Sequence, residues 1–373
     1  MSSSSGVIRQ LKVAIVGPGL VGAALVEQLI AYRSSPRYEL LPIKLAGVIN
    51  TKGMLLENEV SKANSLSELQ EALSKAPSSS LDDFVDAFAA DSKYHSVVVD
   101  CTSSDGVASK YPSWLKKGLS VVTPNKKGFS GSQALFNEIQ ELSKGPGEPL
   151  VYHEATVGAG LPVLSTLNDL IKTGDKIKKI EGIFSGTLSY LFNTFSHPSA
   201  PKQKFSEIVK VAKANGFTEP DPRDDLNGMD VARKATILGR VSGLPLSIDT
   251  LPVENIVPKE LQGVQTAEEF LSKLPDFDGE FDKLNQEALD NNQVLRYVAV
   301  INFDGESSVK LMKYPLSHPF ASLQGSDNII AFTTERFPNP LIIQGAGAGA
   351  AVTAFGIFGD IIKIAERTWA GKL

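Results

Sequence analysis

Cysteine is almost absent from this chain: Cys101 is the only one in 373 residues. A disulfide framework and a cysteine-based metal cluster are thereby excluded, and the composition suits a reducing compartment, so cytoplasmic residence is expected. Histidine is nearly as scarce. His95, His153, His197 and His318 are the four present, no two at a metal-ligand spacing, and no catalytic zinc site is expected. There is no basic excess either. The formal net charge of −5 argues against a nucleic-acid partner, which would require a positive surface. No apolar run approaches the roughly 18 residues that span a bilayer, so no membrane partner is expected. The serine-rich start, Met1 to Gly6, lacks an apolar core and reads as a disordered tip rather than a signal peptide. Gly371-Lys372-Leu373 only half resembles a peroxisomal tripeptide, since its serine is missing.

What is present is the composition of a globular protein, 42% hydrophobic and 21% charged. The length calls for two or three domains of roughly 100–200 residues each. Lys12 to Val16 is a short apolar run of the kind found in buried strands, followed at once by Gly17-Pro18-Gly19-Leu20-Val21-Gly22 and a helix from Val21 to Tyr32. Ile43 to Ile49, Val97 to Asp100 and Ser120 to Thr123 are further strands. The stretch Glu57–Ser92 is expected to hold one or two surface helices with a loop near Pro77–Ser80, and a helix is expected from Val107 to Lys117. Strands alternating with helices imply parallel βαβ units and a doubly wound sheet.

From about Leu150 the rhythm changes. Lys178 to Phe184 reads as a strand entering Ser185-Gly186-Thr187 and a helix through Phe195, with further helices at Phe205–Asn215 and Leu226–Val241. Val294–Phe303 and Ser308–Tyr314 alternate like antiparallel strands. Leu341 to Gln344 is a strand, and Gly345-Ala346-Gly347-Ala348-Gly349 opens a helix from Ala351 to Arg367. The expectation is an α/β protein: a Rossmann-like doubly wound parallel sheet over residues 1–150, completed by 341–373, and an α+β domain with a mixed sheet over 151–340.

The glycine run sits between strand and helix, where a dinucleotide-binding turn belongs. Gly17 allows the tight turn, Gly19 lets backbone approach a pyrophosphate, and Gly22 lets helix pack on strand; Leu20 and Val21 line the same turn. The helix N-terminus adds free N–H groups and partial positive charge. A structural turn without cofactor is the competing reading. The second strand ends at Asn50-Thr51-Lys52 with no acid until Glu57. Neutral Asn50 does not repel a 2′-phosphate and Lys52 attracts one, unless Lys52 is merely solvated, so NADP or dual use is expected over strict NAD. Thr102 and Ser103 follow the strand Val97–Asp100 at the carboxyl edge, where ligands bind in such folds. Cys101 there is either an inert small residue or a nucleophile.

Thr123-Pro124-Asn125-Lys126-Lys127 ends the next strand and offers Lys126 to the nicotinamide cleft, or else to water. In Glu219-Pro220-Asp221-Pro222-Arg223-Asp224-Asp225-Leu226-Asn227-Gly228-Met229-Asp230, some acids suit a helix start. Asp230 and Lys234 are four apart on one helical face. At a surface the pair means little; in a cleft it is a general acid held by a carboxylate. None of the eight tyrosines has a lysine four residues later, so the Tyr-x-x-x-Lys pair of short-chain dehydrogenases is missing and another proton donor must serve.

Taken in order, GPGLVG, VVTPNKK, YHEATVGAGLP, FSGTLSY, EPDPRDDLNGMDVARK and QGAGAG resemble homoserine dehydrogenases from about Lys12 to Arg367, most closely the short monofunctional fungal type. That resemblance implies NAD(P)-dependent interconversion of L-aspartate 4-semialdehyde and L-homoserine, on the route to threonine, methionine and isoleucine. It implies Lys126 beside nicotinamide and substrate, Lys234 as catalytic lysine with Asp230, Glu219 and Asp225 near the substrate amino group, and Gly349 near the cofactor. It further implies a sodium or other monovalent-cation loop with ligands from Glu154, Val157, Ala159 and Leu161, and a homodimer formed through the second domain. Two alternatives stand beside it: a semialdehyde dehydrogenase using Cys101, and a non-catalytic NADP-binding sensor.

Overall fold

The computed structural model describes residues 10–89, 94–199 and 201–370; the terminal readings at Met1–Gly6 and Gly371–Leu373, and the end of the Glu57–Ser92 stretch, lie outside the described residues. The chain forms two compact units, residues 1–160 with 349–373, and residues 161–348. Among the described residues no helix is long and apolar enough to cross a membrane.

The first unit is built on a six-stranded sheet of β1 (Leu11–Val16), β2 (Ile43–Ile49), β3 (Met54–Leu56), β4 (His95–Asp100), β5 (Ser120–Val122) and β6 (Val151–Tyr152), in the order β3-β2-β1-β4-β5-β6. All neighbours run parallel except β3, an antiparallel edge strand against β2. β1 is buried along its whole length, as its unbroken apolar run requires of a strand covered on both faces. Leu25, Val26 and Leu29 of the helix Leu20–Arg33 and Ala354, Ile357, Ile361 and Ile364 of the helix Ala350–Ala370 share one buried core with it. The strand order reverses between β1 and the parallel β4, where Val16 and Asp100 lie side by side. That is the ligand-binding crevice of such sheets.

The second unit carries β7 (Ile177–Ile183), β8 (Gln293–Asn302), β9 (Ser308–Pro315), β10 (Asp327–Thr334) and β11 (Leu341–Ala346), ordered β11-β10-β7-β8-β9. All four strand pairs are antiparallel, and the only parallel element seen in this unit among the described residues is an isolated bridge from Val253 to Val309 of β9. Two expected boundaries move. β11 is hydrogen-bonded to β10, so residues 341–348 stay with the second unit and the return to the first begins at Gly349 rather than at 341. The loop after β6 likewise keeps residues 151–160 in the first unit.

Two expected helices are broken. The stretch 107–117 becomes Asp105–Ala108 and Tyr111–Lys116. The stretch 226–241 becomes Arg223–Leu226 and Met229–Val241, split at Gly228, which takes φ +74°. A Cβ at Gly228 would lie 2.0 Å from the Tyr297 hydroxyl, so only glycine fits this turn. Asn227 Oδ1 then accepts the Met229 N–H at 2.9 Å and starts the second helix, with Asp230 in its first turn.

Candidate active site

The glycine turn of the first unit divides its labour as the spacing predicts. Gly17 holds φ +82°, and a Cβ there would meet Thr102 Cγ2 at 2.6 Å. A Cβ on Gly22 would stand 2.5 Å from the Gly17 carbonyl oxygen. Gly19 is different: a Cβ there meets nothing within 4 Å. Two glycines are therefore required by the fold, while the third keeps open a space that no atom of the described residues fills. Leu20, 86% exposed, and Val21 start the helix directly after it. Gly349, exposed at φ +109°, precedes the helix Ala350–Ala370.

At the end of β2, Asn50 Oδ1 accepts the N–H groups of Lys52 (2.8 Å) and Gly53 (3.0 Å). Its oxygen is committed to this turn. Thr102 is half-buried and Ser103 exposed beyond β4, and Thr102 N–H donates to Asp100 Oδ1 at 2.8 Å. Burial, seconded by the neighbouring Asp100 charge, raises the Cys101 thiol far above the usual thiol range. A nucleophilic thiolate needs the opposite shift, so the dehydrogenase chemistry through Cys101 has no support. Lys126 is half-buried in the turn after β5, between Asn125 and Lys127; Lys127 pairs with Asp105 at 3.0 Å.

In the second unit, Lys234 is 9% exposed on the helix Met229–Val241. Its Nζ lies 2.8 Å from Asp230 Oδ2, the pair expected from their spacing, and donates at 2.6 Å to the carbonyl oxygen of Phe184 at the end of β7. An ammonium has three N–H groups. Two of them are fixed by these partners. Asp225 accepts from Thr187 Oγ1 and from the Glu219 N–H, each at 2.8 Å. Burial raises the Asp225 carboxyl above its ordinary value, and repulsion from Glu219 and Asp230 pushes the same way. Glu219 and Asp230 both lie close enough to Asp225 to repel it, and this local excess of negative charge suits a substrate ammonium group. The Asp221–Arg223 ion pair (2.5 Å) anchors the loop bearing Glu219, with Arg223 Nη1 donating to the Val264 carbonyl at 2.6 Å. The sequence marks Phe184 and Thr187 only as a strand end and the start of a helix, not as site residues. Both lie within the quoted FSGTLSY block, which was the available signal.

In the loop after β6, Glu154 is 5% exposed, with its carboxylate 3.4 Å from Lys363 Nζ. Lys363 also pairs with buried Asp360 at 2.9 Å, and Asp360 Oδ2 accepts the Glu154 N–H at 2.8 Å. Val157 and Ala159 are buried, and Leu161 is half-buried. Gly158 and Ala159 are both left-handed, at φ +78° and +54°. Asp360 and Lys363 were not read as partners of this loop, although charges three apart on an apolar helix were a visible signal. Burial raises the Asp360 carboxyl to about 6, against the opposing pull of Lys363.

Comparison with known proteins falls on both units. Residues 17–153 match the family model described as homoserine dehydrogenase, NAD binding domain, and residues 162–362 the model described as homoserine dehydrogenase. The chain is 48% identical to a homoserine dehydrogenase of Saccharomyces cerevisiae over 361 residues, 96% of this chain and 98% of that one. It is 47% identical to one of Schizosaccharomyces pombe, covering 96% of each. Among solved structures, a hyperthermophilic archaeal homoserine dehydrogenase in complex with NADPH superposes with TM-score 0.70 at 25% identity, over 95% of this chain and 97% of that one. A Candida auris protein described as of unknown function superposes with TM-score 0.87 at 46% identity, over 96% and 99%.

Proposed function

The chain belongs to the homoserine dehydrogenase family, NAD(P)-dependent oxidoreductases acting on a CH–OH group, and from that premise we propose how its own residues divide the work. The carrying observation is the Lys234 ammonium, buried, held by Asp230 and the Phe184 carbonyl, with one of its three N–H groups left for a substrate oxygen. Lys234 orients that oxygen and holds the proton at Nζ, directly or through water. Asp230 fixes the lysine rotamer through their ion pair. Glu219 and Asp225 take the substrate ammonium, and Lys126 stands by the reacting carbon. Gly17–Gly22, Asn50, Thr102, Ser103, Lys126 and Gly349 hold the dinucleotide, whose nicotinamide supplies or accepts the hydride. The open space over Gly19 fits such a group. The primary experiment is steady-state oxidation of L-homoserine with NAD and with NADP separately; absence of turnover with both refutes the assignment.

Cofactor choice is broad. Asn50 spends its oxygen on its own turn, so its remaining group is a donor amide, which serves a 2′-phosphate better than a ribose hydroxyl pair requiring an acceptor. The ratio of kcat/KM for NADP over NAD is expected not to favour NAD strongly. Rejection of NADP by more than about a hundredfold, roughly 2.7 kcal/mol, contradicts this reading of Asn50 and Lys52.

The loop Glu154–Leu161 takes a monovalent cation, sodium in the first instance, through Glu154, Val157, Ala159 and Leu161. Two consecutive left-handed residues redirect successive carbonyls, and Ala159 holds this conformation without being glycine. The Glu154 and Leu161 carbonyls already accept from Val157 and Val163 N–H, at 3.3 and 2.8 Å, but each oxygen has a second lone pair. Lys363 offsets part of the Glu154 charge, which disfavours a divalent ion. Replacing sodium by a bulky organic cation should lower activity, while a divalent-ion chelator leaves it unchanged. Equal rates in both salts remove the site. A homodimer through the second unit is the assembly proposed, supported by partly exposed apolar Ile342 and Phe337, and sedimentation tests it.

A further inference from the structure

The last residue of β4 is an aspartate with no exposed surface. Asp100 Oδ1 accepts the Thr102 N–H at 2.8 Å. Its Oδ2 accepts from the Tyr111 hydroxyl at 2.5 Å and from Asn125 Nδ2 at 2.9 Å. Its backbone oxygen accepts the Thr123 hydroxyl at 2.8 Å. Tyr111 and Thr123 are as buried as Asp100, and Asn125 nearly so. Three uncharged donors therefore converge on one carboxylate, and none of these bonds needs a proton from it. Burial and the adjacent Asp100 hold the Tyr111 hydroxyl well above its ordinary range, so it remains a donor.

Each donor belongs to a different segment of the first unit. Thr102 starts the turn after β4, and its methyl group occupies the space that a side chain on Gly17 would need. Tyr111 opens the helix Tyr111–Lys116. Asn125 immediately precedes Lys126; it also donates to the Ser104 carbonyl at 3.0 Å, and its Oδ1 accepts the Lys127 N–H at 3.1 Å. A buried carboxylate is costly to place unless its hydrogen bonds are complete. Here they are, and they tie the turn facing the glycine fingerprint to the segment carrying Lys126. β4 and β5 are also joined by their own backbone pairing, from Val97 to Val99.

We propose that Asp100 is a positioning residue that fixes Lys126 and the Thr102–Ser104 turn as one rigid edge for the reacting end of the cofactor. This rests on the role given to Lys126 above. Asp100→Asn keeps the shape but offers one acceptor and one donor, so an amide N–H is set against Asn125, Tyr111 or Thr102, all of them donors. A displacement of about 1 Å at a reacting group costs as much as 10²-fold. The expected loss in kcat/KM for L-homoserine is about 10–100-fold, with a weaker NADPH affinity in fluorescence titration.

The deciding measurement is a double-mutant cycle of Asp100→Asn with Lys126→Ala. If Asp100 acts through Lys126, the double variant loses little more than Lys126→Ala alone. Losses that multiply overturn the proposal, because Asp100 then acts independently of Lys126 and does not bind the two segments into one edge. Near-normal turnover in Lys126→Ala defeats the Lys126 assignment itself, and the proposal with it, and is recognised by that single variant. Where Asp100→Asn does not fold, Asn125→Ala removes the Asn125 bonds to Asp100, Ser104 and Lys127 while leaving Asp100 its bonds to Tyr111 and Thr102, and enters the same cycle with the same two outcomes.

Discussion

Lys234→Ala is expected to lose about 10²–10⁴-fold in turnover of L-homoserine while cofactor affinity stays nearly unchanged, the range typical of a general acid–base group. Lys234 belongs to the second unit, and the glycine turn to the first, so the substitution removes no group proposed to hold the dinucleotide. Its effect on stability is small by comparison. The Asp230 side chain is 46% exposed, so the ion pair contributes little. The larger structural cost is the Phe184 carbonyl left without its donor, about 1–3 kcal/mol. Lys234→Met separates the two effects by keeping the aliphatic stem and removing the charge. Both variants should be equally inactive, with methionine the more stable. Near-normal turnover in Lys234→Met would sink the assignment, since neither packing nor cofactor binding would then explain the conservation of rate. Asp230→Asn should fall between, because the lysine remains but loses its orienting charge.

The parts of this molecule legible in its sequence are those whose signal is local. β2 falls on Ile43–Ile49 as expected, and β1 and β4 within two residues, because a strand buried on both faces must be an apolar run. The helix Asp278–Asp290 was not anticipated. It buries only Phe281 and Ala288 among its apolar residues together with Asp278 and Asn285, too thin a stripe to show its period. The break at Gly228 follows from Tyr297, distant in sequence. The site divides the same way. Asp230 and Lys234 are four apart and were found; Thr187 reaches Asp225 across 38 residues and was not. Asp100 read as the end of a strand, since its partners Tyr111 and Asn125 lie 11 and 25 residues further on and only folding assembles them.

The glycine turn supplies the second large effect, and there the different roles of Gly19 and Gly22 become separately measurable. In Gly22→Ala the new Cβ must push against the Gly17 carbonyl, a backbone atom that cannot rotate away. Overpacking of this kind costs about 1–3 kcal/mol. The ligand-free protein should melt earlier, and weaker cofactor binding would be only a consequence. In Gly19→Ala the new methyl group meets no atom of the described residues within 4 Å. The backbone there, at φ −74° and ψ −157°, is extended and open to alanine. Stability of the ligand-free protein should therefore change by less than about 0.5 kcal/mol, as for other substitutions that touch nothing. Cofactor affinity is another matter, because the free N–H groups at this helix start reach a pyrophosphate only if the backbone can approach it. Losing hydrogen bonds to a charged group costs about 1.5–3 kcal/mol, or roughly 10–150-fold in affinity. Calorimetric melting without ligand, paired with NADPH titration, reads both quantities on one sample. An unchanged melting curve with weakened binding identifies the space above Gly19 as the ligand's. Normal binding in Gly19→Ala would mean that the cofactor does not pass over this turn, and the assignment of Gly17 to Gly22 as its cradle would fall.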